Sequence, residues 1–170
     1  MRDIYTFAIE MEEEGIEYYR KLTKQAPHRR LRRIFEVLAE EEERHIHAIY
    51  CLIEKRPWGP KSDLIPEAKA AFAAIIDEGF EVDPTTPLAM QYAKAYRHAY
   101  EVERKNRDVY LDFAAKAREK KDKIAENVFL ELADEEARHM ILVDILFKTV
   151  TEPLRWTESE EFLQWQALAQ

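Results

Sequence analysis

Two stretches of this 170-residue sequence place metal-ligating side chains at helical spacing. The first is Leu38-Ala-Glu-Glu-Glu-Glu-Arg-His45 and the second is Leu132-Ala-Asp-Glu-Glu-Ala-Arg-His139. Each contains a Glu-x-x-His: Glu42 with His45, and Glu136 with His139. Residues three apart share one face of a helix, so each pair offers a carboxylate and an imidazole side by side. That donor set suits iron or manganese, and zinc also fits it.

The pairs belong to a longer repeat. Phe35 to His45 lies over Phe129 to His139 with an offset of 94. Upstream, Ala8, Glu12 and Tyr19 lie over Ala99, Glu103 and Tyr110 with an offset of 91. Each half is therefore one helix carrying Ala, Glu and Tyr, then one carrying Glu-x-x-His. Such a hairpin cannot bury its apolar stripe alone, so the two must pair.

Helical geometry, at about 100° per residue, selects the inward glutamates. With Glu12 at the origin, Ile4, Tyr5, Ala8, Ile9, Gly15, Ile16, Tyr19 and Leu22 share its arc, while Glu10, Glu13, Glu14 and Glu17 fall outside it. With Glu42 at the origin, Ile34, Phe35, Leu38, Ala39, Ile49, Ile53 and His45 share its arc. Glu36, Glu40, Glu43 and His47 point away, and Glu41 sits at the edge. The second half repeats this around Glu103, Glu136 and His139. Four carboxylates and two imidazoles thus face one core. They also share a level: Glu12 and Glu42 stand fifteen residues either side of Pro27, and Glu103 and Glu136 flank the charged turn near residue 119.

Four buried carboxylates repel one another and lose hydration. Two divalent cations neutralise them. A pair of Glu and a pair of Glu-x-x-His on four facing helices is the di-iron carboxylate pattern of helical bundles. The competing reading is a bundle whose buried glutamates pair with arginine, and Arg107, about 40° from Glu103, is its candidate.

The elements needed are four long helices. Breaks at Ala26-Pro27-His28 and Pro57-Trp58-Gly59-Pro60 bound the first two. Thr86-Pro87 is a capped start for the third, and Asp122 an N-cap for the fourth. The sequence predicts an all-α, ferritin-like four-helix bundle in one domain over 1–170. Hairpin 1 spans 3–56, hairpin 2 spans 87–149, and a crossover over 57–86 carries a short helix near 66–77. A tail over 150–170 ends in another short helix from Trp156. Only 3 glycines and 7 prolines leave little for the turns of an all-β fold.

The net charge of -8 argues against nucleic acid or an anionic membrane as partner. No apolar run approaches the ~18 residues of a membrane span, and a cytoplasmic location is expected. Cys51 stands alone in an apolar helical pattern, so it reads as a buried thiol.

At Ala8-Ile-Glu-Met-Glu12 through Tyr19, at Phe35 through His45, and at their second-half equivalents, the sequence resembles the rubrerythrin branch of the ferritin-like superfamily. The resemblance covers residues 3–149. It implies a non-haem di-iron centre with Glu12, Glu42 and His45 on one side, Glu103, Glu136 and His139 on the other, and Glu42 and Glu136 bridging. It implies reduction of peroxide or oxidation of Fe(II) by dioxygen, an external electron donor, and a homodimer. The sequence departs from full-length rubrerythrins in carrying no CxxC pairs. Their additional third-helix glutamate has no evident counterpart either, since Glu101 faces outward. Alternatives on the same scaffold are a non-catalytic iron-binding or structural bundle and a dimanganese or oxygenase-type enzyme. Tyr19 and Tyr110, two turns along from Glu12 and Glu103, are candidate proton donors or radical quenchers, with core packing as the plainer role. His28, His47 and His98 read as surface or turn residues. Trp58, Trp156 and Trp165 are expected to pack over the bundle. Ile141 and Ile145 call for cover by the crossover helix or a second subunit.

Overall fold

Helix boundaries follow the cap chemistry. Thr86 accepts a hydrogen bond from the Ala89 amide at 3.2 Å, and Asp122 accepts one from Ala125 at 3.0 Å. His28 caps the second helix through Nδ1, 3.2 Å from the Arg30 amide. Each cap satisfies one amide that the helix itself leaves without a partner. In the computed structural model the described residues are 3–26, 28–59, 64–77, 83–152 and 160. They form α1 (Ile4–Gln25), α2 (Arg29–Ile53), α3 (Leu64–Asp77), α4 (Pro87–Glu119) and α5 (Lys123–Thr151). There is no strand among them. The expected C-terminal helix, with Trp156 and Trp165, lies outside the described residues.

Side-chain contacts fix the directions. The Tyr92 hydroxyl, near the start of α4, donates to the Gln25 carbonyl at the end of α1 at 2.9 Å. Phe7, near the start of α1, meets Phe113, near the end of α4, edge-on with centroids 6.2 Å apart. So α1 and α4 run antiparallel. In the same way, Leu31 and Ile34 of early α2 share an apolar cluster with Leu146 and Val150 of late α5. Ala48 and Ile49 of late α2 share another with Phe129 and Leu132 of early α5. These two helices are antiparallel as well.

The core is thus two apolar blocks. One holds Tyr19, Phe35, Leu38, Tyr96 and Leu146; the other holds Ala8, Ile49, Tyr110, Phe113 and Phe129. The buried Glu and His residues separate them. Late α2 lies in the second block and early α4 in the first, so the crossover must travel the length of the bundle. Its α3 lays Leu64, Ala68, Phe72 and Ile75 into the first block, where Ile145 also sits. Ile145 is therefore covered, whereas Ile141 remains 53% exposed. Ile53, placed in the core arc by periodicity, is exposed because it falls in the last turn of α2, beyond the packed region. Trp58 packs against the second block, as expected of a residue leaving the bundle. Among the described residues no helix is long and apolar enough to cross a membrane.

Candidate metal centre

Each of the four long helices delivers its inward glutamate to one level: Glu12 from α1, Glu42 from α2, Glu103 from α4 and Glu136 from α5. These four and the two histidines are at most 1% exposed. Their ligating atoms converge into two groups, one of Glu12, Glu42, His45 and Glu136, the other of Glu42, Glu103, Glu136 and His139. Within each group the donor atoms lie within 4.8 Å of one another.

Glu42 and Glu136 belong to both groups, and each turns one oxygen to each side. His45 Nδ1 lies 3.1 Å from Glu42 Oε2 and 3.2 Å from Glu136 Oε1. His139 Nδ1 lies 3.3 Å from Glu42 Oε1 and 3.5 Å from Glu136 Oε2. Glu12 and Glu103 complete the groups singly, each 3.5 Å from its own histidine's Nδ1. The imidazole rings stack with centroids 5.2 Å apart.

The fit to a cation pair rests on atoms without a protein partner. Both oxygens of Glu42 and Glu136, one oxygen each of Glu12 and Glu103, and Nδ1 of both histidines are buried with no hydrogen-bond partner among the described residues. Buried polar atoms are nearly always satisfied, so such a convergence is unusual without a cation. The donor set, hard oxygens with one imidazole per group, suits first-row divalent metals.

Electrostatics splits the six groups. Burial, then the charges of Glu42 and Glu136, holds Glu12 and Glu103 well above the usual carboxylate range. Burial also opposes ionisation of Glu42, but the imidazoliums of His139 and His45 overcome it and hold that group low. Glu136 is held low too, against burial and the charge of Glu42, by the closeness of Glu103, His139 and His45. Burial works against charging either histidine, yet Glu12 for His45 and Glu42 for His139 lead the interactions that raise both. Without metal, these shifts favour the protonated forms of Glu12, Glu103, His45 and His139 and the ionised forms of Glu42 and Glu136. With metal, two divalent cations balance four carboxylates and both imidazoles are neutral.

The tyrosines cross between helices. Tyr19 of α1 donates to Glu103 Oε1 on α4, and Tyr110 of α4 donates to Glu12 Oε1 on α1. Both rings are buried, and burial, then the adjoining carboxylate, raises each phenol well above its usual range. Because α1 and α4 are antiparallel and helical side chains lean toward their own N-terminus, the two hydroxyls approach the layer from opposite sides.

Several neighbours were not singled out by helical periodicity. Glu135 is buried and receives the Nε2 of His45 at 3.1 Å. Glu41, at the edge of the arc, is buried against Arg44, 3.3 Å away. Asn106, also buried, occupies the repeat-equivalent position of Gly15. Arg107 pairs with Asp108 at 2.8 Å rather than with Glu103, because it turns outward along its own helix. Glu101 is exposed and pairs with Arg104 at 2.5 Å, so it takes no part in the centre. His47 is exposed with its ring 3.5 Å from the sulfur of the buried Cys51, and His98 sets its edge against Tyr18.

A family model described as Rubrerythrin matches residues 3–102 and, again, 94–165. The chain belongs to the rubrerythrin family. The first match runs from α1 into α4, and the second from α4 through α5. No curated protein and no solved structure matches the chain. Rubrerythrins typically bind a di-iron centre, and the buried Glu and His groups here are of a kind that can hold metal.

Gly15 brings α1 close to one of the shared carboxylates. A Cβ there would lie 3.4 Å from Glu42 Cγ and 3.6 Å from its Oε1. That is ordinary contact, so Gly15→Ala is expected to keep full metal uptake and to gain about 0.5–1 kcal/mol from helix propensity. Gly15→Leu has no such room and is expected to displace Glu42. Thermal melts with metal content per chain would distinguish the two variants.

Proposed function

We propose that this rubrerythrin-family protein holds two iron ions between Glu12, Glu42, His45, Glu103, Glu136 and His139, and reduces peroxide there. The observation that supports this most is the crossed tyrosine pair. Two-electron reduction of hydrogen peroxide to two waters consumes two protons, and two phenol hydroxyls are held against the centre from opposite sides. When bound, two Fe(II) ions supply the two electrons for O–O cleavage. The chain's own part is to place and enclose. Glu42 and Glu136 hold the two positions together, and Glu12 and Glu103 close their outer sides. The apolar blocks above and below keep bulk water out. Tyr19 and Tyr110 hold protons at Glu103 and Glu12 and orient those carboxylates.

Electrons return from a donor outside these 170 residues. The sequence holds one cysteine, Cys51, so it cannot build a four-cysteine iron site. The test is peroxide consumption by Fe(II)-loaded protein with added reductant. Sustained turnover is expected, and Tyr19→Phe with Tyr110→Phe is expected to lower it about 10–100-fold while both metals still bind. Full metal uptake with no turnover, whatever the donor, would contradict peroxide reduction and leave iron holding alone.

A further inference from the structure

The two halves of the centre share their sequence pattern but not their surroundings. His45 presents Nδ1 to the carboxylates, and its far nitrogen, Nε2, meets Glu135 at 3.1 Å. Glu135 is itself gripped: Arg44 Nη2 donates to both of its oxygens, at 2.9 and 2.8 Å. Arg44 also holds Glu41 at 3.3 Å and lies over the Trp58 ring, 5.6 Å from its centroid. His45 is thus fixed by a chain of contacts reaching from the start of the crossover to the centre.

The repeat offers a counterpart for each member of this chain, yet the second half does not assemble it. At the offset of 94, Glu41 corresponds to Glu135 and Arg138 to Arg44. Arg138 instead turns outward to Asp134, and Glu41 is held by Arg44. His139 Nε2 is consequently buried with no hydrogen-bond partner among the described residues.

A carboxylate on the far nitrogen does two things to a ligating imidazole. It fixes the proton on that nitrogen, leaving the near one free to ligate, and it makes the ring a stronger donor. His45 has both advantages and His139 has neither. We propose that the two metal positions are unequal: the one built on His45 is the tighter and fills first, and Glu135 is the positioning residue responsible. This rests on the dimetal reading above. It assigns each histidine a distinct part in loading, with the His139 position the one that exchanges metal more readily.

Mutual repulsion of two cations would by itself split binding into two steps, so the test uses single-position variants. Anaerobic calorimetric titration with Co(II) would be run on His45→Ala and His139→Ala, each alone and combined with Glu135→Gln. Circular dichroism would verify the helical fold, and Gln is nearly isosteric with Glu. His139→Ala is expected to bind one metal about 10–100-fold more tightly than His45→Ala does. Adding Glu135→Gln is expected to erase that advantage in His139→Ala and to leave His45→Ala unchanged. Equal affinities of the two histidine variants, or equal weakening of both by Glu135→Gln, would overturn the inference while leaving the dimetal centre standing. Failure of the unmodified protein to take up Co(II) would overturn both.

Discussion

Saturating metal is expected to raise the melting temperature by about 15–30 °C, and Glu42→Ala with Glu136→Ala is expected to abolish that rise. A ligand present at a thousand times its Kd stabilises a fold by about 4 kcal/mol. Two such sites give about 8 kcal/mol, and a domain of this size shifts by about 2–4 °C per kcal/mol. The loss in the variant follows from sharing. Glu42 and Glu136 each offer an oxygen to both groups, so removing the pair takes two donors from each position. The metal-free variant should also be less stable than the metal-free parent. Removing Glu42 and Glu136 leaves the buried His45 and His139 without those counter-charges and opens cavities in the core. Differential scanning calorimetry of both proteins with and without metal checks this. An unchanged metal response in the variant would place the cations elsewhere.

Metal should leave steeply in acid, with up to four protons taken up for two metals released. The metal-free layer favours protons on Glu12, Glu103, His45 and His139, all of which must be free of protons at the ligating atom to bind metal. Where all four are protonated in the metal-free state, apparent affinity falls about tenfold per pH unit for each displaced proton. The metal-free fold has a more mixed dependence. The histidines are raised from 6.5, so their contribution is full below that value and is lost as pH rises through their folded-state titration. Glu12 and Glu103 act the same way from 4.5 upward. Glu42 and Glu136 are lowered from 4.5, so theirs is present above it and lost as pH falls through their folded-state titration. From neutral pH into the alkaline range, metal-free protein should therefore lose stability while the stabilisation added by metal grows. Proton release on metal addition in weakly buffered solution measures the count directly. Release well below one proton per metal would contradict the assigned protonation.

Helical periodicity made the inward set legible. One apolar arc on each helix contained a single level with Glu12, Glu42, Glu103 or Glu136, because a bundle core admits so few carboxylates that their placement stands out against it. The bundle itself was legible for the same reason, helped by the caps at Thr86 and Asp122. What the sequence hid depends on how helices face one another. Tyr19 appeared as a neighbour of Glu12 on one stripe, yet it serves Glu103, because the antiparallel partner helix brings that carboxylate under its ring. Glu135 and Glu41 were masked by the acidic runs around them. A signal was available in the repeat, since both immediately precede the inward Glu-x-x-His at matched positions. Their different fates were not, because Arg44 and Arg138 are the same residue at the same place in the repeat, and it is packing that sends Arg44 to Glu135 under Trp58 and Arg138 to Asp134.

The most direct measurement is iron content per chain after anaerobic Fe(II) loading, made on the unmodified protein and on Glu42→Ala with Glu136→Ala. The dimetal account predicts two iron per chain in the first and none retained in the second. No iron in either would contradict it, leaving a helical bundle whose buried carboxylates are balanced by protons and imidazoliums alone.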